Sequence, residues 1–207
     1  MASVAALLAT LAIGATGCSG QSGATVAAPV SATSRTGSSP PPAPTSTAAR
    51  VVNAGGLARS APVRLRIASI GVDSALMNLG LRTDGSMEVP PGGFPAGWYT
   101  GGPTPGELGP AVIAGHVDMF GPGVFYKLHD VLPGDRVTVT RADGSKPVFR
   151  VTRVAQFPKD QFPTKLVYGN IDHPGLRLIT CGGTFNSQSG HYEDNLVVFA
   201  DLLAPAS

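Results

Sequence analysis

From residue 62 onward the chain is a series of short apolar or alternating runs broken by glycine, proline and aspartate, with little helical periodicity. Val63-Arg64-Leu65-Arg66-Ile67 alternates strictly, as a half-buried strand should. Ala75 to Leu81 reads as a second strand, ending in the turn Thr83-Asp84-Gly85. Ala111-Val112-Ile113-Ala114-Gly115-His116 is a short buried run. Arg136 to Arg141 alternates, turns at Ala142-Asp143-Gly144-Ser145 and resumes from Val148 to Val154, an Asp-Gly hairpin. Leu176 to Thr180 and Leu196 to Leu202 complete the set, and short helical turns are expected near Trp98, near Phe125–Lys127 and around Thr164–Tyr168. Many short strands and few helices predict an all-β domain, a closed or nearly closed barrel.

The ends of the chain have a different pattern. Residues 1–18 carry no charge, and the apolar stretch from Val4 to Ala15 is too short to span a bilayer comfortably. It fits the apolar region of a secretory signal, without the positive segment that normally precedes one. Ala15-Thr16-Gly17-Cys18 resembles a bacterial lipobox, in which Cys18 would carry lipid; the alternative is an ordinary signal with an incidental cysteine. Residues 19–61 are Ser, Ala, Thr, Gly and Pro with almost no large apolar side chains, so they predict a disordered linker. Both readings place the folded domain outside the cytoplasm; a lipidated Cys18 or an uncleaved N-terminal segment would anchor it to the membrane.

Charge and cysteine content narrow the options. The net charge is +2, but three of the 15 Lys and Arg fall in residues 19–61, where there is no acid. The rest is close to neutral and offers no basic patch for nucleic acid. There are two cysteines, and Cys18 belongs to the export segment. Cys181 is therefore left without a partner in an exported domain, where an unpaired thiol is prone to oxidation.

Cys181 follows Leu176-Arg177-Leu178-Ile179-Thr180 and precedes Gly182-Gly183. A strand holds the thiol, and the glycines leave backbone N–H groups uncovered beside it. That suits a nucleophile forming a thioester through a stabilised oxyanion; the competing reading is a small buried apolar cysteine. A thiol also needs a partner to ionise at neutral pH. His116 closes a buried run and is followed by Val117-Asp118, which puts Asp118 on its face if the strand continues. The competing reading is a satisfied strand-end histidine. His129 and His173 sit in turn-like contexts, and His191, in a Gly-Ser loop, is the main rival.

Gly115-His116 on one strand and Leu178-Ile179-Thr180-Cys181 ending another resemble the sortase signature. Ala114-Gly115-His116-Val117-Asp118, Leu132-Pro133-Gly134-Asp135, Cys181-Gly182-Gly183-Thr184-Phe185 and Asp194-Asn195-Leu196-Val197-Val198 are similar to class F sortases of actinobacteria. The resemblance implies an eight-stranded sortase-type β-barrel over residues 62–205 and a membrane-linked cysteine transpeptidase or peptidase. Cys181 would attack a Leu-Pro-X-Thr-Gly-like sorting signal at the C-terminus of another exported protein. An amine, typically on a peptidoglycan precursor, would then take the acyl group, with His116 moving the protons. Neither a metal nor an organic cofactor is implied.

One departure from that pattern matters. Sortases usually place an arginine on the strand after the cysteine loop, and here Asn195 takes that position, with no arginine anywhere after Cys181. Arg177 lies four residues before Cys181 and so shares its face of the strand. Arg177 is thus the candidate cation, unless it is simply a solvated strand residue. Asn195 is a candidate neutral donor, and Thr180, Asp118 and Gly182 are further candidate substrate contacts. The departure leaves open a binding lipoprotein without turnover, or a sortase-like hydrolase. A cell-wall L,D-transpeptidase fits poorly, because that family sets His and Gly just before its cysteine and Leu178-Ile179-Thr180 stands there instead.

Overall fold

The computed structural model describes residues 56–203. The export segment, Cys18 and most of the 19–61 linker lie outside the described residues. Eight strands are present: β1 (Pro62–Ile67), β2 (Val72–Leu79), β3 (Ala96–Tyr99), β4 (Gly109–Ala114), β5 (Arg136–Arg141), β6 (Val148–Pro158), β7 (Pro174–Asn186) and β8 (His191–Leu202). They close into a barrel in the order β1-β2-β3-β4-β7-β8-β6-β5. The β2–β3 and β4–β7 pairs are parallel. Closure leaves no open edge in the ring.

The alternation in β1 has its expected origin. Leu65 and Ile67 point into the barrel and are fully buried, while Arg64 and Arg66 face water. A register shift between Pro62 and Arg64 breaks the alternation at Val63, which is exposed. The barrel interior is filled by residues such as Phe125, Phe149, Ile113, Leu176, Leu178 and Val198.

β4, β7 and β8 are apolar on their outer face as well. Val112, Ile179, Val197 and Phe199 form a second cluster there, capped by Val167 of the one-turn helix α1 (Thr164–Tyr168). These strands are therefore buried on both sides, which explains runs without polar alternation.

Three features differ from the sequence reading. Trp98 lies in strand β3, not in a helical turn. Phe125–Lys127 forms turns, and the 3-10 turn follows at Leu128–Asp130. Residues 56–61, read as the end of the linker, already lie against the barrel. The Leu57 N–H donates to the Gly106 carbonyl at 2.7 Å, and the Arg141 guanidinium donates to the carbonyls of Ala58 and Ser60.

Candidate active site

The parallel pairing of β4 with β7 builds the site. Ala114 is in register with Ile179, and the Gly115 N–H continues the ladder to the Ile179 carbonyl at 3.1 Å. The register ends at that pair; His116 and Cys181 each lie two residues beyond it, His116 past the end of β4 and Cys181 on β7. Because the strands are parallel, both residues also come at the same end of the barrel. His116 and Cys181 both line one groove of about 860 Å³.

The turn after β4 is held tightly. A Cβ on Gly115 would come within 2.5 Å of Val124 Cγ1 and 2.8 Å of Phe125 Cδ2. Only glycine lets the chain after His116 fold back over the strand end. The His116 carbonyl then accepts the Phe125 N–H at 2.9 Å. The ring Nε2 lies 2.8 Å from the Pro90 carbonyl. A carbonyl can only accept, so Nε2 carries a hydrogen in this arrangement and Nδ1 is the nitrogen left to gain or lose a proton.

Cys181 is partly exposed on β7, opposite Asn195 of β8. Asn195 also lines the groove, on the face that holds the thiol. Two residues later the ladder is interrupted. Gly182 pairs with Asp194 and Phe185 with Tyr192, so residues 183 and 184 oppose Glu193 alone. Gly183 has φ of +76°, as a glycine-type bulge requires. The bulge withdraws backbone groups from the ladder close to the sulfur.

The remaining candidates separate clearly. Thr180 is buried on the alternate face of β7 from Cys181, yet it is among the residues lining the groove; its Oγ1 has no hydrogen-bond partner. Asp118 does not line the groove. Its carboxylate accepts the Tyr192 hydroxyl at 2.5 Å, tying the chain after His116 to the turn end of the β7–β8 hairpin. That bond is the main cause of a raised Tyr192 pKa, and the charge of Cys181 adds to it. His191 is exposed in register with Asn186, five residues past Cys181, or about 16 Å along the strand.

Arg177 is on the predicted face but points elsewhere. Its guanidinium stacks on Phe199, 4.8 Å from the ring centroid, and donates to the Leu176 carbonyl at 3.0 Å. It folds back towards Gly175, away from Cys181, and does not line the groove. Burial pulls its pKa down, partly offset by the charge of Asp201.

The cation at the thiol is one the sequence reading did not single out. Lys159 Nζ is 3.6 Å from Cys181 Sγ. Lys159 begins a 3-10 turn directly after β6, which runs four residues beyond the predicted Val154 and pairs Phe157 with Asn195. Recognising the full length of β6 would have carried the chain to the thiol.

The groove has an apolar floor of Val112, Ala114 and Ile179 and aromatic walls from Tyr99, Phe162 and Tyr168. Burial, with some help from Tyr99, raises the Tyr168 pKa. Among the described residues, no group of three or more His, Cys, Asp or Glu is placed to hold a metal ion.

A family model of the sortase domain matches residues 65–203. Solved sortases are similar in fold. Sortase A from Corynebacterium diphtheriae, in a lid mutant, superposes with a TM-score of 0.55 at 21% identity, covering 72% of this chain and 74% of that one. A Clostridium perfringens sortase D5 transpeptidase gives 0.52 at 20% identity, covering 70% and 79%. Sortase C1 of Streptococcus agalactiae, in complex with MTSET, gives 0.55 at 20% identity, covering 72% of each chain. No curated protein matches the chain.

Proposed function

The chain belongs to the sortase family, whose members are cysteine transpeptidases, and on that premise we propose that it cleaves a Leu-Pro-X-Thr-Gly-like signal near the C-terminus of other exported proteins and passes the acyl group to a cell-wall amine. The observation that carries this reading is that His116 and Cys181, each two residues past the last β4–β7 pair, line the same partly apolar groove. Around 860 Å³ of partly apolar groove suits an extended segment of a few residues rather than a folded partner.

In this mechanism the Cys181 sulfur attacks the Thr–Gly carbonyl. The C–S bond forms and the carbonyl electron pair moves onto oxygen. N–H groups at the bulge after Cys181 and the Asn195 amide are the donors assigned to that oxygen. The C–N bond then breaks, and His116 gives its proton to the leaving amine. His116 next takes a proton from the incoming amine, which displaces the sulfur and regenerates the thiolate. The apolar floor and aromatic walls keep the substrate extended and the thioester shielded from water.

Attachment is part of the same proposal: the export segment, through Cys18 or an uncleaved apolar stretch, would hold the domain at the outer membrane face, with the residues between Cys18 and Gly56 as the spacer. The class F assignment rests on the sequence motifs given above.

Hydroxylamine provides the test. The chain incubated with a Leu-Pro-X-Thr-Gly peptide and hydroxylamine should form a hydroxamate ending at Thr. Cys181→Ala should form none, and His116→Ala should lose about 10²-fold or more. No hydroxamate from a panel of sorting peptides would leave a binding protein. Free acid in preference to hydroxamate would leave a hydrolase.

A further inference from the structure

We propose that Lys159 is the catalytic cation of this site, holding the Cys181 thiolate and remaining beside the negative charge as it passes to the substrate oxygen. Among the described residues, Lys159 is the cationic side chain that both lines the groove and reaches the reacting sulfur, at 3.6 Å. Arg177 shares the strand face with Cys181 but turns its guanidinium towards Gly175 and Phe199.

The position of Lys159 follows from its backbone rather than from chance reach. β6 pairs Phe157 with Asn195 and Pro158 with Asp194, and Asn195 itself opposes Cys181. The chain therefore enters the turn Lys159–Gln161 two strands from the thiol, with β8 between them, a gap the long lysine side chain spans. Phe157 and Phe162 meet edge to face, with ring centroids 6.3 Å apart, and close the turn from both sides. Only the lysine side chain remains to be ordered. An ammonium is a compact charge with three donors and can follow a moving negative charge without a fixed fork geometry.

Lys159 keeps its protons throughout. It donates a hydrogen bond to the sulfur before attack; when the C–S bond forms, the negative charge moves to the carbonyl oxygen one atom away and stays within reach of the same ammonium. The proton carried to the leaving amine comes from His116. A nearby cation raises the thiolate fraction and hence the reaction rate. One screened unit charge at 3.6 Å is worth a factor of roughly five to ten.

The effect on turnover rests on the transpeptidase reading; the effect on the thiol does not, which makes the two separable. The full chain, Lys159→Met and Lys159→Arg are each alkylated at pH 7 with iodoacetamide, which is neutral, and with iodoacetate, which is anionic. Loss of the cation should slow iodoacetamide about fivefold and iodoacetate more, with the gap narrowing in 1 M salt. Lys159→Arg should retain most of the wild-type rate and the wild-type iodoacetate preference. Turnover of a sorting peptide, as kcat/KM, should fall about tenfold in Lys159→Met at unchanged melting temperature. Equal alkylation rates and equal reagent preference in wild type and Lys159→Met would overturn the proposal, and so would slowed alkylation with unchanged peptide turnover. A wild-type chain that is alkylated fast but processes no sorting peptide would refute the transpeptidase reading while leaving the lysine–thiol contact decided by the alkylation rates.

Discussion

Replacing Arg177 by methionine separates two roles that its sequence position alone cannot. The Arg177 side chain leaves β7 four residues before Cys181, so the two Cα atoms are about 13 Å apart. The guanidinium then folds further off, coming near the point where a Gly175 Cβ would lie. At 13 Å a unit charge is worth about 0.3 kcal/mol in water and about 1.3 kcal/mol at an effective dielectric of 20. Removing it should therefore slow catalysis by less than about tenfold, and by about twofold if water screens the path. A cation that stabilised the oxyanion directly would cost about 10²- to 10³-fold.

Stability supplies a second measure. Methionine gives up the stacking on Phe199, about 1–2 kcal/mol, and a charge-assisted bond to the Leu176 carbonyl, about 1.5 kcal/mol or more. It also removes a buried cation whose Nε has no hydrogen-bond partner, a penalty of several kcal/mol. These terms oppose each other, and the net change in unfolding free energy should stay within about 2 kcal/mol. The assay is kcat/KM on a sorting peptide, paired with urea unfolding of the same protein. A hundredfold loss of kcat/KM in a variant as stable as wild type would refute this account and return Arg177 to the chemistry.

Gly183→Ala should destabilise the chain by about 1–3 kcal/mol and slow peptide turnover at least tenfold: the residue has φ of +76°, and the new Cβ would fall near Asp194 Oδ2, which accepts a bond from Gln156 Nε2 at 2.7 Å. An alanine variant that melts with wild type would refute the bulge argument. His173 lies between Asp172 and Asp201, and the bond to Asp172 above all raises its pKa, with burial opposing. A raised histidine stabilises fully below its ordinary value near 6.5 and loses that contribution as pH rises through the folded-state value. His173→Gln should thus melt a few degrees below wild type at pH 5.5 and together with it at pH 9; an equal gap at both pH values would refute the ion-pair reading.

How far the sequence could be read depends on which side of each strand is covered. β1 and β5 are covered only from inside, so Leu65, Ile67, Val137 and Val139 alternate with polar neighbours and announce themselves. β3 is four residues long, and Gly97 is pressed so closely on Leu79 that a Cβ there would lie 2.4 Å from Leu79 Cγ, so neither length nor alternation marks it as a strand. β6 was legible only as far as Val154. The register shift between Val151 and Arg153 breaks the alternation, and past Val154 it resumes only at half depth, with Ala155 and Phe157 half-buried and Gln156 and Pro158 exposed. Lys159 was missed for that reason, although the extension of β6 is what brings it to the thiol. Alternation placed Arg177 correctly on the outer face with Cys181, but period two says nothing about which neighbours cover that face. Phe199 of β8 and Val167 of α1 help make the 177 end of the strand a covered apolar surface, while the 181 end opens into the groove. One strand thus carries a buried cation at one end and a partly exposed thiol at the other. The charge that serves the thiol has to come from a different strand, and β6, paired with β8 up to residue 158, is positioned to supply it.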